Sequence, residues 1–154
     1  MIRQLLYRSA QLYEFTAADM RRLLQDARAD NAAQDVTGVL AYRDGTFLQL
    51  LEGAPDVVDA LYARVAGDRR HCDVRLLSRG TRATRLLPGW AMAYAEAPGD
   101  DDDLPAFEGL APDAPALGLL ARADDAVAGL LRRFLTGGPV PPGGLVCAQR
   151  WALA

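Results

Sequence analysis

The chain has 154 residues, of which 51% are hydrophobic and 24% charged, with a formal net charge of -3; these are the proportions of one globular domain with an appendage. All 17 of its Lys and Arg residues are arginines, which removes Schiff-base lysines and the lysine of a phosphate-binding P-loop, and the acidic balance leaves no basic stripe to attract a nucleic-acid backbone. The apolar stretch at the start is too short for a signal peptide and no run approaches the ~20 apolar residues that span a bilayer, so a cytoplasmic location with neither membrane nor nucleic acid as partner is expected. Residues 2–10 alternate, with Arg3, Leu5, Tyr7 and Ser9 on one side and Ile2, Gln4, Leu6 and Arg8 on the other, as in a strand. Thr16 with Asp19 has the pattern of a cap with an acidic third residue, and Met20, Leu23, Leu24 and Ala27 repeat at helical spacing, so a helix is predicted over about 16–32.

The runs VTGVLAY (36–42) and TFLQLLEG (46–53), joined at Asp44-Gly45, read as a hairpin. Pro55 suits a first helical position, and Val57, Val58, Leu61, Tyr62 and Val65 form the stripe of a second helix. Asp68, Arg70 and His71 are placed at the end of that helix. Cys72 and Cys147 have only His71 to join them, too few ligands for a metal site, and read as reduced thiols. Two more strands are predicted, VRLLSRGT (74–81) and GWAMAYA (89–95), with Trp90 and Met92 on one face of the second. The order β-α-β-β-α-β-β is an α+β, ferredoxin-like pattern with one strand added, giving a five-stranded mixed sheet with two helices on one face.

From Pro98 the composition turns to Pro, Gly and Asp, so a core domain is predicted over residues 1–97. A linker and helices follow over 98–136, at 116–121 and 124–135, then a Pro/Gly-rich tail over 137–154. The helices are expected to cover the reverse sheet face that Ile2 and Leu6 help form.

Three polar residues need explanation. Asn31 falls on the apolar stripe of the first helix, where it reads either as a helix C-cap or as a buried amide with a ligand to bind. Gln49 stands between Leu48 and Leu50, on the side of Phe47 and Leu51, where an amide needs a polar partner. Tyr7 reads equally as ordinary strand packing. Arg64 and Asp68, four apart, either line a cleft mouth or pair in solvent. Dinucleotide fingerprints, paired acidic motifs and nucleophile–base constellations are absent, and no enzyme is predicted.

The blocks LLYRS (5–9), ARADN (27–31), TGVLAYRDGTFLQLLEG (37–53), DRRH (68–71) and GWAM (89–92) together resemble a BLUF domain, a blue-light sensor that uses flavin, over roughly the first 95 residues. The resemblance implies an FAD or FMN ring between the two helices, with Tyr7, Asn31 and Gln49 around it. It implies that excitation draws an electron and then a proton from Tyr7, that radical recombination leaves the Gln49 side chain and its hydrogen bond rearranged, and that Trp90 and Met92 relay the change. Ser9, Arg28, Arg64 and Asp68 match family positions near the flavin. Asp30 departs from the pattern, and is expected to face solvent or pair with Arg28 or Arg64. The resemblance is to short BLUF proteins, which implies a homo-oligomer, dimer or higher, and an unidentified downstream protein partner; the C-terminal helices and the apolar tail residues Leu145, Val146 and Trp151 are the expected oligomer or partner interface. The alternatives are a light-insensitive flavin or small-ligand module, which illumination distinguishes, and a small ferredoxin-like hydrolase, which turnover in the dark without flavin would reveal.

Overall fold

The computed structural model describes residues 1–11, 13–67, 71–96 and 106–138, with the backbone alone at 71–73. Among the described residues the elements in chain order are β1 (Ile2–Gln11), α1 (Ala17–Ala33), β2 (Thr37–Arg43), β3 (Thr46–Gly53), α2 (Pro55–Ala66), β4 (His71–Arg82), β5 (Ala93–Glu96), α3 (Ala114–Arg122) and α4 (Ala126–Leu135). The sheet runs β4-β1-β3-β2-β5. Its first four strands pair antiparallel and β5 lies parallel to β2, which is the expected mixed, ferredoxin-like sheet.

Local chemistry sets the boundaries. The Thr16 hydroxyl accepts from the Asp19 amide at 3.1 Å while the Asp19 carboxylate accepts from the Thr16 amide at 2.9 Å, a reciprocal cap that starts α1. The β2–β3 turn places Asp44 at φ 46° and Gly45 at φ 78°, the two left-handed residues of a tight hairpin. Pro55 opens α2 and Gly67 caps it.

Strand alternation divides the apolar residues between two cores. Leu5, Tyr7, Phe47 and Leu51 meet Met20, Leu24, Val58 and Leu61 of α1 and α2. On the reverse face Leu6, Val39, Leu48 and Leu50 meet Leu120, Val127, Leu131 and Phe134 of α3 and α4, so the C-terminal helices cover the surface that would otherwise be wet. Asp125 fastens α4 to the sheet: one oxygen caps the Val127 and Ala128 amides and the other pairs with Arg82 at 2.7 Å.

Two predicted elements differ. β4 begins at His71, paired with Gln11, so His71 belongs to a strand and not to the end of α2; Gly67 has already ended the helix. The strand predicted over 89–95 begins only at Ala93, where pairing with Val39 starts. Gly89 sits at φ 82°, a turn conformation, and leads a non-strand segment that carries Trp90 and Met92. The described residues do not include Asp68 and Arg70, any of 97–105, or the tail from 139 on, with Cys147, Leu145, Val146 and Trp151.

Gly38 shows how closely β2 and β3 approach. A Cβ there would lie 1.9 Å from the Leu50 carbonyl oxygen, a backbone atom that cannot step aside. Gly38→Ala is expected to destabilise the fold by about 3 kcal/mol, the upper part of the overpacking range, read as a lower urea midpoint at unchanged slope.

Candidate functional site

α1 and α2 lean apart over β3 and leave a cleft of about 530 Å³, counting its open mouth. Leu23 and Ala27 of α1, Leu51 of β3, and Leu61 and Val65 of α2 form its apolar walls. Asn31 and Gln49 bring amides to it, and Asp26, Asp30 and Arg64 bring charge. Apolar walls with a few convergent polar groups are the usual composition of a small-molecule site.

Gln49 and Tyr7 stand directly opposite each other on β3 and β1. The fully buried Tyr7 hydroxyl donates to Gln49 Oε1. Gln49 Nε2 points to the Met92 sulfur at 3.7 Å, a weak acceptor for a buried amide. The Tyr7 ring meets the edge of Tyr62 of α2, with centroids 5.3 Å apart. Burial pushes the Tyr62 phenol above its ordinary pKa, so it stays neutral beside Tyr7 at physiological pH.

Asn31 is 2% exposed and donates through Nδ2 to the Ala91 carbonyl at 2.7 Å. It is not the C-cap: Gln34 holds that position, and the Asn31 backbone carbonyl accepts from the Gln34 and Val36 amides. The Ala91 bond is one of three in series. The Trp90 carbonyl accepts from the Gly38 amide at 2.9 Å, and the Met92 carbonyl from Arg28 Nε at 2.9 Å. Three successive carbonyls are thus held by β2 and α1 in place of ladder partners, which is why this stretch is not a strand.

The expectation that Trp90 and Met92 share a face fails for the same reason. Met92 is buried in the core beneath α1 and α2, while Trp90 packs with the core beneath α3 and α4. Tyr7, Gln49 and Met92 are in contact, and Asn31 and Arg64 line the same cleft. Ser9 is buried on β1 opposite Phe47. Arg28 turns to Met92 and, through Nη2, to Asp113 at 3.5 Å. Asp30 pairs with Arg64 at 3.5 Å across the cleft mouth, both side chains more than half exposed. Asp68 lies outside the described residues.

Glu52 and Arg85 were not anticipated. Glu52 is fully buried, and its carboxylate accepts the Leu86 amide at 2.9 Å, the Leu87 amide at 3.0 Å and Gln4 Nε2 at 3.3 Å. Arg85 donates to Thr37 Oγ1, the Glu52 carbonyl and Asp35. Together they clamp the start of the 83–92 segment whose far end carries Met92. The sequence did hold a signal for one of them: Glu52 breaks the apolar face of Leu48 and Leu50 as plainly as Gln49 breaks the other. Glu52→Ala leaves the buried Leu87 amide and the half-buried Leu86 amide without their acceptor and is expected to cost about 3 kcal/mol, with Glu52→Gln, which keeps one acceptor oxygen, costing less; urea unfolding compares the two.

Among the described residues no helix is long and apolar enough to cross a membrane. A family model described as sensors of blue light using FAD, BLUF, matches residues 2–93. The chain is 36% identical over 78 residues to the photoactivated adenylate cyclase subunit beta of Euglena gracilis, a match covering 50% of this chain and only 9% of that protein. Among solved structures, the dark state of the BLUF protein BlrB is similar at 26% identity with a TM-score of 0.59, covering 62% of this chain and 72% of that one. BlrP1 of Klebsiella pneumoniae, solved with FMN and cyclic diGMP, is similar at 25% identity with a TM-score of 0.68, over 88% of this chain and 34% of that one. With the family model spanning more than half of its length, the chain belongs to the BLUF family of flavin-based blue-light sensors.

Proposed function

We propose that the cleft between α1 and α2 seats the ring of FAD or FMN, and that Tyr7 and Gln49 form the light-operated hydrogen-bond switch behind it. The observation that carries this reading is the bond from the Tyr7 hydroxyl to Gln49 Oε1 at the cleft wall, which leaves Gln49 Nε2 with only a thioether. A buried amide so poorly served fits a ring with acceptor atoms along its edge. Asn31 supports the same fit, since its Oδ1 has no partner among the described residues while its Nδ2 is engaged.

A bound flavin supplies blue-light absorption and an excited state that accepts an electron. Tyr7 would lend the electron and its hydroxyl proton and take both back on recombination, so that the only lasting change is the rearranged amide of Gln49, hydrogen-bonded to that hydroxyl. Asn31 holds the polar edge of the ring, while Leu23, Leu51, Leu61 and Val65 exclude water from it. Arg64, at the mouth, would face the flavin's chain, and Ser9, buried on β1, would support the site; Asp68, matched to the same surroundings by resemblance, lies outside the described residues. Met92 reads the Gln49 amide directly; Trp90, on the other face, belongs to the output side. Residues 1–97 form the sensing unit, and the helices within 98–136 carry the signal to a protein partner or a second copy of the chain, in the cytoplasm.

Asn31→Ala is expected to weaken flavin binding about tenfold, the loss of one well-placed hydrogen bond, measured by quenching of flavin fluorescence. The function itself is tested by reconstituting the chain with FAD or FMN and recording visible spectra around blue illumination. A yellow protein whose flavin band moves to longer wavelength and recovers in darkness is expected. A colourless protein after equilibration with excess flavin would overturn the proposal.

A further inference from the structure

We infer that Arg28 is the positioning residue that couples the Met92 segment to the C-terminal helices, acting through Asp113; this rests on the Tyr7–Gln49 switch proposed above. Arg28 lies one turn before Asn31 on α1, but it is not part of the cleft wall. Its guanidinium joins two elements instead. Nε donates to the Met92 carbonyl at 2.9 Å and Nη2 pairs with Asp113 Oδ2 at 3.5 Å.

Asp113 is the residue before α3, yet its side chain makes no bond to its own helix. That carboxylate accepts the Tyr94 amide at 2.7 Å, and the Asp113 amide donates to the Tyr94 carbonyl at 2.8 Å. Both hydrogen-bonding groups of Tyr94 on the outer edge of β5 are thereby used, and the start of α3 is clipped to the strand two residues beyond Met92. The end of α3 is tied in turn: Arg132 of α4 donates to the Leu120 and Ala123 carbonyls at 2.6 and 2.8 Å. A path of contacts therefore runs from the Gln49 amide to the Met92 sulfur, along that residue to its carbonyl, through Arg28 and Asp113 to the start of α3, and from the end of α3 to α4.

Magnitudes separate coupling from stability. The Arg28 and Asp113 side chains are 45% and 28% exposed, and an ion pair so open to water contributes little to folding. The Asp113 contact with the Tyr94 backbone holds α3 in place without Arg28. What the arginine adds is dependence on Met92: when Gln49 rearranges, a shift of the Met92 carbonyl reaches the Asp113 carboxylate through one rigid, planar guanidinium.

The test is hydrogen exchange of the full, flavin-loaded chain in darkness and under blue light. The wild type is expected to show a light-induced change in amide exchange across α3 and α4. Arg28→Ala should keep the full absorption shift and lose that change. Arg28→Lys, which can still donate to Met92 or Asp113 but cannot fork between them, should recover little of it. In darkness Asp113→Ala should speed exchange at the Tyr94 amide, a readout that needs no flavin. A light-induced change of wild-type size in Arg28→Ala would overturn the inference, as would a wild type with a normal absorption shift and no change in α3 and α4. Loss of the absorption shift itself in Arg28→Ala would place the residue in the switch and also refute the coupling role. A wild type that binds no flavin, by contrast, fails the underlying function.

Discussion

Tyr7→Phe is expected to bind flavin with nearly wild-type affinity and to show no light-induced red shift. The substitution keeps the ring that packs beneath α1 and α2 against Tyr62 and removes one oxygen. The lost hydroxyl leaves Gln49 Oε1 without its donor, a cost of about 1–2 kcal/mol to folding, too small to unfold a domain of ordinary stability. The photochemical consequence is out of proportion to that cost, because phenylalanine has neither a low-potential phenol to give an electron nor a proton to follow it. Tyr62→Phe is the matched control: that phenol touches Tyr7 through its ring and makes no hydrogen bond to Gln49 among those described, so the shift is expected to survive. Absorption spectra of the two reconstituted variants under the same lamp make the comparison, and a full shift in Tyr7→Phe would remove Tyr7 from the switch.

Phe134→Ala is expected to be the most destabilising truncation of the reverse face, by about 3–5 kcal/mol. Phe134 is 1% exposed in the core formed with Leu6, Val39 and Leu50. Arg43 adds to the ring's hold, its guanidinium 5.3 Å from the ring centroid and its Nη1 donating to the Phe134 carbonyl at 3.1 Å. A loss of that size is a large share of the stability of a single domain, and it falls on the element that keeps the reverse face dry. Urea unfolding should show a clearly lower midpoint, with increased self-association as the apolar sheet face becomes accessible. A change below about 1 kcal/mol would mean that α4 contributes little to the folded state.

The features legible in the sequence are those whose partners are close in the chain or imposed by periodicity. Thr16 and Asp19 announce α1 because the cap is made by residues three apart. Asp44-Gly45 announces the hairpin because few residues accept its backbone angles. The two faces of the sheet follow from alternation, which placed Gln49 with Phe47 and Leu51 and Leu6 beneath the C-terminal helices. The segment before β5 was misread because GWAMAYA alternates as a strand does, while the groups that hold its carbonyls, Gly38, Asn31 and Arg28, lie more than fifty residues earlier. No local pattern encodes a partner at that distance.

The same limit applies to the site. Asn31 and Gln49 stood out as amides on apolar faces, and both line the cleft. Glu52 carried a similar signal, but its partners, the Leu86 and Leu87 amides, became visible only in the folded chain. Arg28, matched by resemblance to the flavin's surroundings, turns to the Met92 and Asp113 side, because a long side chain on a helix shoulder has two directions to take and spacing does not choose between them.

In the proposed switch the optical change reports one hydrogen-bond rearrangement, at Gln49. Light-minus-dark absorption of the flavin-loaded wild type, recorded beside Gln49→Leu, tests it most directly, because leucine fills the same apolar position and has no amide to rearrange. A red shift that decays in darkness in the wild type and is absent from the flavin-loaded Gln49→Leu is predicted; a reversible shift of equal size in both would contradict the account.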